Sequence, residues 1–176
     1  LDVEALLIIE VEGSRDEIDA MLGRIQRIAK DFAPAYERVA KTSAESLAIW
    51  KGRKSAFGAI GRISPDYFCM DGTIPTGKLP EALEGISAIC QSYGFEVANI
   101  FHAGDGNLHP LILYNANQPG ETERAEACGG EILKLCVALG GCLTGEHGVG
   151  VEKRDLMTEQ FSADELDLQR RIKRAF

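Results

Sequence analysis

The order of hydrophobic and polar positions predicts that the chain opens with a strand followed by a helix. Residues 6–11 form an apolar run of β-forming side chains, which favours a buried strand. Ser14 and Glu17 then make a capping box, which is a signature of a helix start. Hydrophobic residues recur behind it at helical spacing and predict an inward face made of Ile18, Met21, Leu22, Ile25 and Ile28.

Strands and helices continue to follow one another along the chain. Thr42 and Glu45 make a second capping box, and the helix behind it is expected to end around Gly58 and Gly61, before Pro65. Further hydrophobic periodicity predicts strands over residues 66–74, 95–101 and 111–114, and helices over residues 78–93 and 121–139.

The last predicted element is a helix behind the capping box of Ser162 and Glu165. Its apolar residues Leu168, Ile172 and Phe176 are expected to face inward. The order of elements predicts an α+β fold, a sandwich with an antiparallel or mixed sheet and helices packed on it. No low-complexity linker interrupts the sequence, so we expect one domain over residues 1–176.

Composition narrows the classes of function. The chain has 176 residues, 45% of them hydrophobic, which suits a globular protein with a sizeable core. Its net charge of -8 argues against nucleic acid as a partner, because nucleic-acid binding needs a basic face. No apolar run is long enough to span a membrane. The five cysteines include no CxxC pair, which favours reduced thiols in a cytoplasmic protein.

All three histidines lie in two glycine-rich stretches, residues 102–109 and 145–150. His102 and His109 flank a turn, and if it closes a hairpin they lie roughly opposite each other, with Cβ atoms about 5 Å apart. Their imidazoles and the carboxylate of Glu146 could then bind one divalent ion. Two histidines and one carboxylate without a fourth protein ligand are typical of an open catalytic metal site.

The residues alone leave alternatives open. His102 and His109 could be hydrogen-bonded histidines of a hairpin beside an exposed Glu146. His147 adjoins Glu146 and is suited to act as a base near neutral pH, or else to donate a hydrogen bond to a metal ligand. Arg53 has a planar fork that suits a carboxylate, although its spacing alone favours an ordinary solvated arginine.

Two motifs resemble those of a known family. His102-x-Gly-Asp-Gly-Asn-x-His109 and Gly145-Glu-His-Gly-Val-Gly150-x-x-Lys153 resemble the signature motifs of the C-terminal domain of FAD-linked oxidases. That family includes the glycolate oxidase flavoprotein subunit, D-lactate dehydrogenases and D-2-hydroxyglutarate dehydrogenase. Trp50-x-x-Arg53 and residues 61–75 resemble the glycolate oxidase branch.

The resemblance implies a ferredoxin-like α+β domain that caps a separate FAD-binding domain. It implies that His102, His109 and Glu146 hold a divalent metal, usually zinc. It further implies that His147 is the base that removes the hydroxyl proton of a 2-hydroxy acid while hydride passes to the flavin. The expected function is therefore that of the substrate- and metal-binding domain of an FAD-dependent 2-hydroxy-acid dehydrogenase, which forms a 2-oxo acid.

The resemblance also gives expectations for the substrate. It implies that Arg53 pairs with the substrate carboxylate, and we expect Asn107 and Lys153, which lie in the two motifs, to contact the substrate. The 2-hydroxyglutarate enzymes carry a lysine where this chain has Cys69, and a polar residue shortly after the second histidine, where it has Pro110 and then a leucine. Glycolate or lactate therefore fits better than a dicarboxylate.

The Pro-Gly-Gly flavin loop of the family does not occur in this chain. We therefore expect the FAD to be bound mainly by an N-terminal domain that lies outside this chain, so that the chain alone does not turn over. The other expected partners are an electron acceptor and partner subunits that could hold a cytoplasmic protein at the inner membrane. Two competing hypotheses are a self-contained metal-dependent hydrolase and a non-catalytic metal-binding module.

Overall fold

A computed structural model describes residues 3–176 of the chain. Its contacts divide the chain into two compact units, Leu1–Ser55 and Ala56–Phe176. The boundary falls within the second helix, so the sequence carries no linker at this point. One domain over residues 1–176 stays a prediction.

The first unit is built around helix α1, Arg15–Lys30, and the start of helix α2, Ser43–Ile60. Both begin where the sequence predicts. The carboxylate of Glu17 accepts hydrogen bonds from the backbone N–H and the hydroxyl of Ser14, at 2.8 and 2.7 Å. Glu45 donates its backbone N–H to the hydroxyl of Thr42 at 3.2 Å. These caps satisfy N–H groups that have no partner inside the helix.

The predicted strand at residues 6–11 is wrong, because this segment forms no strand among the described residues. Leu6 and Leu7 are 68% and 69% exposed. A strand needs a neighbouring edge, and β propensity mainly measures fit to such a half-buried surface. An apolar run therefore cannot specify a strand by itself. The predicted inward face of α1 is only half-buried, and Ile28 is exposed.

The second unit contains five short strands: β1 (Asp66–Cys69), β2 (Gly72–Thr73), β3 (Glu96–Asn99), β4 (Asn107–Leu108) and β5 (Pro110–Tyr114). Three of them form an antiparallel sheet in the order β1-β5-β3, and β2 pairs with β4. The helices that accompany them are α3 (Leu79–Tyr93), α4 (Glu121–Ala138), α5 (Met157–Gln160) and α6 (Ala163–Arg174). The α+β prediction is confirmed, with the antiparallel alternative for the sheet.

The order β1, α3, β3, β5, α4 gives the sheet its connectivity. β1 and β3 both pair antiparallel with β5, so they run parallel to each other and α3 is the crossover between them. This is a split β-α-β unit with β5 in the gap, which is the beginning of a ferredoxin-like arrangement. The predicted strand over residues 66–74 is two strands, because β1 and β2 pair with different partners on either side of Met70 and Asp71.

The core of the second unit lies between the sheet and helices α3 and α4. Ile86 of α3, Ile112 of β5 and Ile132 of α4 are at most 1% exposed and belong to one hydrophobic cluster. Burying such a side chain contributes about 1.5–3 kcal/mol relative to leaving it in water. The helical and strand periodicities that predicted these elements therefore mark the faces that pack together.

Helix α6 begins at the predicted cap, where Ser162 and Glu165 form a capping box. Its expected inward face is wrong: Leu168, Ile172 and Phe176 are 54%, 55% and 107% exposed. Their spacing gives the helix an apolar stripe, but periodicity does not specify what the stripe packs against. None of the helices in the described part of the chain combines the length and the hydrophobicity that a membrane span requires.

Candidate metal centre

The β3–β5 hairpin brings His102 and His109 together. The strand register places Asn99 opposite Pro110, and the bridge beyond it places His102 opposite Asn107. His109 therefore lies one diagonal step from His102 and not directly across from it, which corrects the sequence expectation. Diagonal neighbours are within reach of long side chains, and here the two ring centroids are 5.7 Å apart.

The turn of this hairpin depends on Gly106. Its φ is +68°, in the left-handed region that glycine adopts without strain. A Cβ at this position would also collide with the carbonyl oxygen of Ile74. That carbonyl packs so closely because the backbone N–H of Ile74 donates to the carbonyl of Gly106 at 2.9 Å. The glycine therefore joins the histidine turn to the end of β2.

His109 is the buried member of the site, with 3% exposure. Its Nδ1 lies 3.3 Å from the carbonyl oxygen of Met70. A carbonyl oxygen only accepts hydrogen bonds, so Nδ1 is the donor in this contact. Nε2 faces the other side of the ring, where the Oε1 atom of Glu146 lies 3.0 Å away. Metal-binding histidines typically have such a carbonyl partner on the opposite nitrogen.

A buried carboxylate that was not a predicted site residue, Asp71, holds the loop that carries Glu146. The hydroxyl of Thr144 donates to Asp71 Oδ2 at 2.7 Å. The backbone N–H groups of Gly145 and His147 donate to the same oxygen, each at 3.0 Å, and that of Glu146 donates to Oδ1 at 3.1 Å. One signal in the sequence was a lone acidic residue after an apolar strand, in Phe-Cys-Met-Asp-Gly.

Lys153 completes the surroundings of Asp71. Its ammonium donates to the backbone carbonyl of Asp71 at 2.9 Å and to Oδ2 at 3.0 Å, and both side chains are almost fully buried. Burial alone would raise the pKa of Asp71. The hydrogen bonds from Thr144, His147, Glu146 and Lys153 outweigh it and hold the pKa below its ordinary value, so the group is a carboxylate at neutral pH.

Within residues 3–176, two groups of side chains have the spacing of a metal site. The donor atoms of His102, His109 and Glu146 all lie within 4.8 Å of one another, and so do those of Asp71, His109 and His147. Ligands about 2.0–2.1 Å from a tetrahedral zinc are themselves about 3.3 Å apart, so either group needs only small movements to close on an ion. Asp71 already accepts hydrogen bonds from five groups, whereas the carboxylate of Glu146 accepts none of these loop donors and lies 3.0 Å from Nε2 of His109. The first group therefore fits a divalent ion better.

His147 stands beside this group. Its ring stacks on that of His109, with centroids 5.1 Å apart and planes 14° apart, and its Nε2 is 3.8 Å from Glu146 Oε1. The His147 side chain is 47% exposed and lines a cavity of about 260 Å³ together with Cys69 and residues 148–153. Burial raises the pKa of Cys69 to about 11, so its thiol is neutral there. A small molecule in this cavity could reach the imidazole.

The three residues expected to contact substrate have different surroundings. Asn107 is 8% exposed and packs against Gly145, and its Oδ1 has no hydrogen-bond partner among the described residues. The ammonium of Lys153 is engaged by Asp71. Arg53 lies in α2, within the first unit, and is partly exposed. The substrate roles of all three stay predictions.

Comparison with known proteins identifies the family. The model of the family described as "FAD linked oxidases, C-terminal domain" matches residues 1–176. The chain belongs to this family. Over its whole length this FAD-linked oxidase domain is 50% identical to glycolate oxidase subunit GlcD of Escherichia coli, strain K12, and covers 35% of that protein. The resemblance seen in the histidine and glycine motifs is thereby confirmed.

More distant relatives carry two kinds of name. The domain is 31% identical to glycolate oxidase subunit GlcD of Bacillus subtilis over 98% of its length, covering 37% of that protein. It is 29% identical to a mitochondrial D-lactate dehydrogenase [cytochrome] of Kluyveromyces lactis over 93% of its length, covering 29% of that protein. The chain thus spans about a third of the length of the curated relatives it matches.

Proposed function

We propose that this chain is the substrate- and metal-binding part of an FAD-dependent dehydrogenase that oxidises a small 2-hydroxy acid to a 2-oxo acid. The observation that carries the proposal is the convergence of His102, His109 and Glu146, with His147 beside them at a cavity. The family match and the relatives named as glycolate oxidase subunit and D-lactate dehydrogenase support the same chemistry.

His102, His109 and Glu146 would hold one divalent ion, with zinc the best fit to two imidazoles and one carboxylate. When bound, such an ion supplies a Lewis acid that lowers the pKa of a hydroxyl group. The side chain of Glu146 is 55% exposed, so the cluster is open on that side. An open position is what distinguishes a catalytic site from a closed structural one.

His147 would act as the general base. Oxidation of a 2-hydroxy acid removes a proton from the hydroxyl group and a hydride from the adjacent carbon. FAD, when held by the rest of the intact protein, supplies the acceptor for that hydride. The Nε2 atom of His147 lies beside the proposed ligand cluster and at the cavity, where it can take the hydroxyl proton. Arg53 would orient the substrate by pairing with its carboxylate.

The substrate would be glycolate or lactate rather than a dicarboxylate. The lining contributed by Cys69 is a neutral thiol, which offers no charge to a second carboxylate. The relative in Escherichia coli is named as a subunit, which supports partner subunits for the intact protein. We infer a cytoplasmic location with those subunits as the route to a membrane surface or an electron acceptor.

The test is the visible spectrum of the full-length protein under anaerobic conditions. We expect bound flavin to lose its visible absorbance on addition of glycolate or D-lactate, and the corresponding 2-oxo acid to accumulate in equal amount. Acetate and propionate, which are the same two acids without the hydroxyl group, are the matched controls and should leave the spectrum unchanged. A protein that binds no flavin, or whose flavin stays oxidised with 2-hydroxy acids, would exclude the proposal.

A further inference from the structure

The carboxylate of Asp71 accepts hydrogen bonds from consecutive residues of the loop that carries Glu146 and His147. Asp71 is 0% exposed, yet it accepts the N–H groups of Gly145, Glu146 and His147, which are exposed residues. Three consecutive backbone N–H groups converging on one anion form a nest, a concavity that normally binds a free anion. Here a side chain more than 70 residues earlier in the sequence fills it.

The contacts fix both ends of the loop. Thr144 donates its hydroxyl to Asp71 shortly before Glu146, and Lys153 donates its ammonium six residues after His147. The Lys153 ammonium also balances the charge of Asp71, which a buried carboxylate requires. The backbone of Glu146 and His147 is thereby held from both sides, while their side chains remain about half exposed.

Met70, which precedes Asp71 in the chain, contacts the histidine side of the site. The backbone carbonyl of Met70 faces Nδ1 of His109 at 3.3 Å, and the side chain of Asp71 holds the loop of Glu146. Two consecutive residues therefore orient side chains that come from separate parts of the chain. Both residues lie between β1 and β2, where the strand predicted over residues 66–74 is interrupted.

We propose that Asp71 is a positioning residue, which sets the direction of Glu146 and His147 toward His109 without itself binding metal or substrate. The inference rests on the proposed function for the roles of Glu146 and His147. The hydrogen bonds favour this role over that of a ligand. Oδ2 of Asp71 accepts four donor groups and Oδ1 accepts the N–H of Glu146, so an ion bound through Oδ2 would displace several of the bonds that hold the loop.

The test compares Asp71→Asn with wild type in the full-length holoenzyme. The amide keeps the shape but presents an NH₂ donor where a carboxylate oxygen accepts, and it leaves Lys153 without a counter-charge. We expect faster hydrogen exchange at the amides of residues 145–147 and about 10–100-fold weaker zinc affinity, measured by competition with a chelator of known affinity.

Asp66→Asn is the matched control. Asp66 stands at the other end of β1 and also accepts a distant backbone N–H, that of Ala116 at 2.8 Å, but it lies outside the site. The Asp66→Asn substitution should change neither hydrogen exchange at the amides of residues 145–147 nor zinc affinity. Thr144→Val serves if Asp71→Asn does not fold, because it removes one hydroxyl donor to Asp71. It should weaken zinc binding and protection at these amides in the same direction, by a few fold.

The outcomes separate this inference from the proposed function. Unchanged exchange at residues 145–147, or unchanged zinc affinity, in a folded Asp71→Asn protein would overturn the positioning role. A purely structural residue would lower thermal stability without a local loss of protection at these amides. If the wild-type protein binds no metal, the proposed metal site fails, and the exchange measurement alone decides whether Asp71 holds the loop.

Discussion

The Nε2 atom of His109 lies 3.0 Å from the Oε1 atom of Glu146, although one belongs to a hairpin of the sheet and the other to a loop after α4. The hairpin fixes His109 through strand pairing and the Met70 carbonyl. Asp71 fixes the loop of Glu146. The proposed metal site is therefore assembled by tertiary contacts, and substitutions that leave the ligands intact can still weaken it.

Replacing His147 should separate chemistry from metal binding. In the full-length protein, we expect His147→Ala to keep its metal and to lose about 10²–10⁴-fold in the rate of flavin reduction, because a general base contributes that much. Stopped-flow reduction and metal analysis on the same sample measure both quantities. His102→Ala is the comparison and should lose metal as well as activity. Metal lost from His147→Ala would make His147 a ligand, and an unchanged rate would remove it as the base.

The two glycines of the histidine turn should differ in their tolerance of a methyl group. Gly106→Ala forces a side chain into a left-handed conformation and against the Ile74 carbonyl, so we expect about 1–3 kcal/mol of destabilisation and weaker metal binding. Gly104→Ala is the control, because a Cβ there meets nothing within 4 Å. Its stability should stay within about 0.5 kcal/mol of wild type. Denaturant unfolding checks both, and equal stabilities would contradict the role given to Gly106.

Arg53 should act on substrate binding and not on the metal. Lysine keeps the charge but lacks the bidentate fork, so in the full-length enzyme Arg53→Lys should raise KM for the 2-hydroxy acid about tenfold, which corresponds to ~1.4 kcal/mol. Metal content should not change. Arg62→Lys, an exposed position shortly after α2, is the matched control. If both substitutions leave KM unchanged, the substrate carboxylate pairs with a residue other than Arg53.

Local signals in the sequence predicted much of the second unit. Capping residues such as Ser162 and Glu165 gave helix starts, since a cap acts within one turn of the chain. The hairpin between His102 and His109 followed from its glycine-rich turn, and only its register differed by a diagonal step. Because all three histidines fall in two short stretches, the sequence predicted that His102, His109 and Glu146 converge, and their donor atoms lie within 4.8 Å of one another. Their roles stay predictions.

Long-range relationships were not accessible in the same way. The apolar runs at residues 6–11 and along α6 carry hydrophobicity without specifying a partner, and Leu6 and Leu168 are exposed. The burial and the partners of Asp71 could not be predicted from the sequence either. A single aspartate after a strand can be solvated or buried, and only the folded chain reveals that its partners are the N–H groups around Glu146.

Metal content is the most direct test of the central claim, that His102, His109 and Glu146 hold one divalent ion. Full-length wild-type protein and a His109→Ala variant are purified without added metal and analysed for divalent metals per chain. We expect one equivalent in wild type and little or none in His109→Ala, since Nε2 of His109 is the buried donor of the cluster. Equal, stoichiometric metal in both proteins would contradict the assignment.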